Sequence, residues 1–136
     1  MKGFQRFKRF QGFLGFVVLL GAAPAFAHHS AAGIDRTKSV TLSGTVKAFG
    51  WQNPHSWMEV DVPNEAGVVT TWKVEMTSPA FLVRAGWKST TVKAGDKVTV
   101  KVFPLRDGDP GGLFQSVTLA DGSTLTERAA IARPPQ

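Results

Sequence analysis

The stretch Val40-Thr-Leu-Ser-Gly-Thr-Val-Lys-Ala48 places apolar or small residues at every second position, with hydroxyl groups and a lysine between them. Alternation with a period of two is the pattern of a β-strand that buries one face. Gly44 lies at the centre of the buried set and predicts a bulge or a sharp bend where the sheet coils. We therefore expect the folded domain to begin with a strand at residue 40.

The same alternation predicts four further strands, at Ser56 to Val62, Val68 to Met76, Val98 to Val102 and Leu113 to Leu119. Their phase assigns several side chains to the interior: Met58, Val60, Val62, Trp72, Val74 and Met76. One short helix is expected between strands three and four. Its signals are an N-cap at Ser78, a proline at the first helical position and a left-handed C-terminal residue at Gly86. Its apolar face is expected to consist of Phe81, Leu82 and Ala85.

Three strands, a short helix and two strands follow one another in the order of an OB-fold. We therefore predict an all-β protein, a small five-stranded OB-fold-like Greek-key barrel with one short helix between strands 3 and 4. A plain antiparallel sandwich is the alternative, because strand spacing alone does not show that the sheet closes. The barrel domain is expected at residues 40–125, between an N-terminal extension at 28–39 and a flexible tail at 126–136.

Residues 1–27 have the composition of a secretory signal peptide. A basic start (Lys2 to Arg9) precedes the apolar run Phe13 to Leu20, and Ala25-Phe-Ala27 supplies a small-x-small cleavage pattern. The apolar run is shorter than the roughly 20 residues that a transmembrane helix needs. We expect a periplasmic or secreted protein that begins at His28 and has no membrane span. Cleavage after Ala25, which would leave Phe26 at the terminus, is the alternative.

Removal of this segment changes the charge of the protein. Four of the 16 Lys and Arg residues lie in residues 1–27, whereas all 10 Asp and Glu residues follow it, so the mature net charge is 12 − 10 = +2. This near balance gives no electrostatic argument for binding nucleic acid, and we expect none to be bound. The absence of cysteine excludes disulfides and thiolate metal sites.

The three histidines provide the candidate site. An N-terminal His28 offers its α-amine and its imidazole to one metal ion, and a second imidazole completes a three-nitrogen set suited to Cu(II). His55, in the segment Trp51-Gln-Asn-Pro-His-Ser-Trp57, is the expected third nitrogen, with His29 as its substitute. The α-amine has a pKa near 8, so deprotonation for metal binding costs little at neutral pH. The sequence therefore predicts copper as a cofactor or cargo.

Structural roles remain open for the same residues. The histidines can belong to a solvated terminus and an exposed turn, and Met58 and Met76 are assigned to the core rather than to copper. Glu59, Asp61, Lys73 and Glu75 suit cross-strand charge pairing, although Glu75 can instead brace a loop. Trp51 and Trp57 are expected to frame the His55 loop.

No catalytic constellation can be read from the sequence. We therefore expect a binding protein rather than an enzyme. Either it binds or carries copper, or it is a metal-free OB-like module that binds a protein partner or a small ligand.

Several short motifs resemble the exported bacterial family known as domain of unknown function 6152. They are His28-His29-Ser30, Gly44-Thr45-Val46, Asn53-Pro54-His55-Ser56, Trp72-Lys73-Val74-Glu75, Ser78-Pro79, Leu82, Gly86-Trp87, Gly95-Asp96 and Pro104 to Gly108. The resemblance covers nearly the whole mature chain. It implies a small periplasmic protein and assigns no activity, so function must be argued from the residues themselves.

Overall fold

The computed structural model describes residues 33–128 of the chain. The expected signal peptide, His28, His29 and the last residues of the expected tail lie outside this range. The described part contains one helix and six strands in the following order: β1 Val40–Gly50, β2 Trp57–Pro63, β3 Val69–Glu75, α1 Pro79–Arg84, β4 Lys97–Pro104, β5 Gly111–Thr118 and β6 Thr124–Thr126.

The sheet closes on itself. Its strands follow the order β3-β2-β1-β4-β5-β6, and an additional parallel pairing joins β3 to β5 through Lys73–Gly111 and Glu75–Leu113. All other pairings are antiparallel. The first five strands therefore form a closed barrel with the OB-fold order, and the helix lies between strands three and four. The OB-like barrel prediction is confirmed, and the open sandwich is excluded.

Most of the side chains that the sequence assigned to the barrel interior fill it, whereas Val62 and Trp72 are only partly buried against the core. Met58, Val60, Val74, Met76 and Val100 are each at most 1% exposed. Burial of apolar area of this kind is the main favourable contribution to folding. Trp87, which follows the helix, is also 1% exposed and joins this core.

The irregularity of β1 does not lie where the sequence suggested. The register shifts between Val46 and Ala48 rather than at Gly44. The backbone of Val46 forms hydrogen bonds with the Gly95–Asp96 turn. Its N–H donates to the carbonyl of Asp96, and its carbonyl accepts from the N–H of Gly95. Gly44 instead permits close approach of β2, because a Cβ there would lie 2.3 Å from the carbonyl oxygen of Asp61.

Helix α1 begins and ends as predicted, but its apolar face is narrower. Ser78 is the N-cap residue, Pro79 opens the helix, and Gly86 has a φ of 92°. Leu82 is fully buried, whereas Phe81 is 56% exposed, so the assignment of Phe81 to the buried face was wrong. A helix of six residues turns less than twice, and only one of its side chains faces fully inward.

Both ends of the described chain contact the barrel beyond the expected limits of 40 and 125. Ile34 is buried and forms an isolated bridge with Leu105. At the other end, Thr126 belongs to β6, and its carbonyl accepts a hydrogen bond of 2.8 Å from the indole N–H of Trp87. Residues assigned to the extension and to the start of the tail thus complete the folded unit.

Candidate functional site

The loop between β1 and β2, residues 51–56, carries His55 and is held to the segment that leads into the helix. Ser56 donates its backbone N–H to the carbonyl of Thr77 at 3.0 Å, and Met76 donates to the carbonyl of Ser56 at 2.9 Å. These two bonds extend the β2–β3 ladder by one step beyond Trp57 and Glu75. The position of His55 is therefore set by sheet hydrogen bonding at the residue next to it.

Aromatic side chains fix the other end of the loop. Trp51 packs against Phe49, with ring centroids 6.0 Å apart, and Phe49 lies 6.2 Å from the buried Trp87. Trp57 lies over Gly50, where a Cβ would come within 2.2 Å of the indole. As expected from the sequence, Trp51 and Trp57 frame the His55 loop.

His55 is paired with a carboxylate. Its Nδ1 lies 2.5 Å from Oε1 of Glu75, and the side chains are 49% and 30% exposed, respectively. Nδ1–H donates to the carboxylate whether the imidazole is charged or neutral, and in the neutral form this tautomer carries its lone pair on Nε2. Glu75 thus orients an imidazole that is half exposed. The sequence suggested this loop-bracing role for Glu75.

A second carboxylate, that of Glu127, lies beside this pair. Its Oε1 accepts a hydrogen bond of 2.6 Å from the backbone N–H of Thr77. Burial raises the pKa of Glu127 above its ordinary value of 4.5, against the lowering effect of this hydrogen bond. The charge of His55 also lowers this pKa, and the carboxylate of Glu75 raises it. His55, Glu75 and Glu127 therefore form one electrostatically coupled group, which we call the His55 cluster.

The His55 cluster is not a complete metal site by itself. Between residues 33 and 128, no group of three or more His, Asp or Glu side chains is arranged to hold a metal ion. Of the three histidines named from the sequence, the structure places His55 at the surface of the first loop, while His28 and His29 lie outside the described residues. Any site of the predicted kind must obtain further ligands from that N-terminal segment.

Glu127 was not identified from the sequence. It follows the last strand in a stretch without apolar alternation, so it was assigned to the flexible tail. The contact between Thr126 and Trp87 brings it to the loop, and this contact joins residues 39 positions apart. No local pattern in the sequence indicates such a pairing.

Across residues 33–128, no helix has the length and apolar character needed to cross a membrane.

Comparisons with known proteins identify a family and a distant structural likeness. Residues 17–115 match a family of unknown function, DUF6152. No curated protein matches the chain. A crystal structure of the mitochondrial single-stranded DNA binding protein Rim1 from S. cerevisiae is similar over 63% of this chain and 97% of that one, with 12% sequence identity and a TM-score of 0.44. A likeness of this degree says nothing about what the present chain binds.

Proposed function

This chain belongs to the family of unknown function DUF6152, and we propose that it is a small periplasmic binding protein that holds Cu(II). The ligands in this proposal are the α-amine and imidazole of His28, after removal of residues 1–27, together with the imidazole of His55. His29 is the substitute for His55. Such a set provides the nitrogen donors and tetragonal geometry that Cu(II) prefers.

The contact between His55 and Glu75 is the observation that carries the proposal. Metal-binding histidines usually donate their other ring N–H to a carboxylate or carbonyl, which fixes the tautomer and increases the basicity of the coordinating nitrogen. His55 has this arrangement through the 2.5 Å contact from Nδ1 to Glu75, and half of its side chain is exposed. Nε2 is the nitrogen of His55 that coordinates the metal in this proposal.

The charge around His55 also favours a cation. Both Glu75 and Glu127 act electrostatically on this region, and their carboxylates outnumber the single imidazole. Burial is the main cause of the raised pKa of Glu127, and repulsion from the carboxylate of Glu75 adds to it. A bound dication would relieve this repulsion. Opposite charges that lie close together in partly buried surroundings interact more strongly than they do in bulk water.

Chain geometry permits His28 to reach this loop. The path from Ile34 to Leu105, Gly111 and Lys73 crosses three strand spacings, and Glu75 is two residues farther along β3. At about 5 Å per strand spacing and 3.3 Å per residue, the offsets are about 15 Å across the strands and about 7 Å along β3, which together give a straight separation of about 16 Å. The six steps of chain from position 28 to Ile34 span at most about 20 Å when extended. The chain is therefore long enough for His28 to reach Glu75, which lies beside His55.

A metal-free interaction module is the second candidate. It is favoured by two exposed apolar side chains on α1, Phe81 at 56% and Val83 at 59%. Exposed apolar side chains are available for contact with another protein, although these two lie two residues apart on the helix and do not form one patch. This candidate requires no role for His28 and predicts that copper affinity is independent of all three histidines.

Mass spectrometry of the exported protein and Cu(II) competition titrations together test the proposal. Mass spectrometry establishes the N-terminal residue. Titrations then compare wild type with His28→Ala, His55→Ala and His29→Ala under the same conditions. We expect submicromolar affinity for the wild type and a loss of tenfold or more for the first two variants. His29→Ala is the matched control and is expected to change affinity by less than threefold.

Two outcomes would contradict the copper proposal. One is micromolar or weaker binding that His28→Ala and His55→Ala leave unchanged. The other is tight binding that depends on neither residue, which would place the metal elsewhere.

A further inference from the structure

The outer face of four adjacent strands is composed of hydroxyl groups and lysines. Strand β4 is central to this face. Its Lys97 pairs with Thr45, its Thr99 pairs with Ser43 on one side and Thr118 on the other, and its Lys101 pairs with Thr41 and Ser116. Strand β6 adds Thr124 opposite Thr118 and Thr126 opposite Ser116. We call these residues the hydroxyl–lysine face: Thr41, Ser43, Thr45, Lys97, Thr99, Lys101, Ser116, Thr118, Thr124 and Thr126.

Strand propensity alone does not explain the composition of this face. Threonine suits strands because its branched side chain fits a pleated surface. The outer face of β2 and β3 belongs to the same barrel, however, and carries three carboxylates, those of Glu59, Asp61 and Glu75. No carboxylate occurs among the ten residues of the hydroxyl–lysine face. The two sides of the barrel therefore differ in the sign of their charge.

The cations on this face follow one line. Lys97 and Lys101 are four residues apart on β4, which separates their backbones by about 13 Å. The next outward position is Phe103, and the guanidinium of Arg36 lies 5.8 Å from the centre of its ring. Positive charge therefore recurs along the whole length of β4.

An open groove lies beside Lys97, at one end of this line of cations. It is lined by the hydroxyl groups of Ser43, Thr45, Thr99 and Thr118 together with Lys97, and Pro63 and Leu119 form apolar parts of its wall. Nζ of Lys97 donates a hydrogen bond of 2.6 Å to the hydroxyl of Thr45. The groove offers one ammonium group and several hydroxyl groups that can both donate and accept hydrogen bonds.

The carboxylates at the borders of the face are engaged locally. Asp96 accepts a hydrogen bond from the backbone of Lys93, and Asp121 accepts from both the backbone and the hydroxyl of Ser123. At the opposite end, Asp35 bonds Thr37 and forms an ion pair with Lys38. These carboxylates hold turns together, and Asp96 and Asp121 line a neighbouring depression with Lys97.

We propose that the hydroxyl–lysine face binds an acidic polysaccharide, with Lys97 and Lys101 pairing with successive carboxylates and the serine and threonine hydroxyls bonding to sugar hydroxyls. Charge complementarity supports a polyanion, because the face carries two lysines and no carboxylate of its own. The density of hydroxyl groups supports a polyhydroxylated chain. Single-stranded nucleic acid fits less well, because its recognition relies on stacking of bases on aromatic side chains. The aromatic side chain in line with this face, that of Phe103, already stacks with the guanidinium of Arg36.

Equilibrium binding of the exported protein to polygalacturonate, with neutral dextran as the comparison polymer, tests this proposal. A chelator keeps copper out of the measurement, so the result is independent of the metal proposal. The wild type should bind polygalacturonate, more weakly as salt is added, and should not bind dextran. Lys97→Gln combined with Lys101→Gln should weaken binding at least tenfold. Thr99→Val, which removes one hydroxyl at constant shape, should weaken it severalfold.

The matched control is Lys73→Gln combined with Lys88→Gln, which removes the same charge from exposed positions off this face. This control should bind like the wild type. The proposal is overturned if the wild type binds dextran equally well or neither polymer, or if the control pair loses as much affinity as the test pair. Tighter binding of oligothymidylate than of polygalacturonate would assign the face to nucleic acid instead. Thermal unfolding of each variant establishes that it is folded.

Discussion

Nδ1 of His55 lies 2.5 Å from Oε1 of Glu75, which connects the exposed first loop of the barrel to the last residue of β3. Because Glu75 belongs to a strand that pairs on both sides, this contact holds the imidazole against the rigid part of the molecule. A ligand group supported in this way loses little conformational freedom when it binds a metal. The copper proposal depends on this relationship.

Substitution of Glu75 by Gln should weaken Cu(II) binding without unfolding the barrel. The change replaces the charged acceptor of Nδ1–H by a neutral amide and so reduces the basicity of the imidazole. Loss of an outer-shell partner typically lowers metal affinity by about 10- to 100-fold. Competition titration at neutral pH measures the change.

Glu59→Gln provides the control for charge. It removes one carboxylate from the same outer face, opposite Lys73 and away from the His55 contact. Its effect on Cu(II) affinity should be less than threefold. Equal losses in Glu75→Gln and Glu59→Gln would show that Glu75 acts only through long-range charge.

The Glu127→Gln variant should be more stable than the wild type at neutral pH. Burial raises the pKa of Glu127 above 4.5, so its charged form is disfavoured in the folded state relative to the unfolded state. An amide oxygen can still accept the hydrogen bond from Thr77. Urea unfolding at pH 7 should therefore give a higher midpoint for the variant.

The pH dependence of this difference has a defined sign. Between 4.5 and the higher folded-state pKa, the folded protein binds more protons at Glu127 than the unfolded chain does. Stability contributed by this group is thus present below pH 4.5 and is lost as pH rises through the folded-state pKa. The stability advantage of Glu127→Gln should grow over this interval and then level off. An advantage that shrinks as pH rises would contradict the account.

Replacement of Ser56 by Ala should stabilise the protein. Ser56 is fully buried, and its hydroxyl has no hydrogen-bond partner among residues 33–128. A buried hydroxyl without a partner costs about 1–3 kcal/mol, and removal of Oγ leaves a small void that offsets part of the gain. We expect the free energy of unfolding to rise by about 1 kcal/mol, measured by urea unfolding. Ser43→Ala, at an exposed position, should change it by less than about 0.5 kcal/mol. A destabilised Ser56→Ala variant would mean that the hydroxyl is satisfied.

The Gly50→Ala substitution should destabilise the loop that carries His55. The new Cβ would lie 2.2 Å from the indole of Trp57, so this side chain would have to move. Overpacking of this kind typically costs about 1–3 kcal/mol. Chemical unfolding gives the cost, and near-ultraviolet circular dichroism reports on the tryptophan. Gly33→Ala meets no atom within 4 Å and should behave like the wild type. A wild-type spectrum for Gly50→Ala would contradict the packing described here.

The order of strands was predictable because each strand alternates, and because the helix carries clear signals at Ser78, Pro79 and Gly86. The bulge between Val46 and Ala48 was not predictable, since it depends on hydrogen bonds to Asp96 and Gly95 in a distant turn. Closure through β3 and β5 also joins segments far apart in sequence. Local sequence patterns specify individual strands and helices, whereas contacts between distant segments form only when the whole chain packs.

The candidate site was predictable in part. His55 was named for its chemistry, and Glu75 was recognised as a residue that could brace a loop. Glu127 was missed, because its role depends on the hydrogen bond from Trp87 to Thr126, which positions the chain after β6. The approach of His28 to His55 stays a prediction.

Electron paramagnetic resonance of the Cu(II)-loaded protein that begins at His28, compared with its His55→Ala variant, tests whether His55 binds copper. We expect three coordinated nitrogens in the wild type and the loss of one imidazole nitrogen signal in the variant. Identical nitrogen couplings in the two proteins would show that His55 does not bind the metal and would contradict the copper site proposed here.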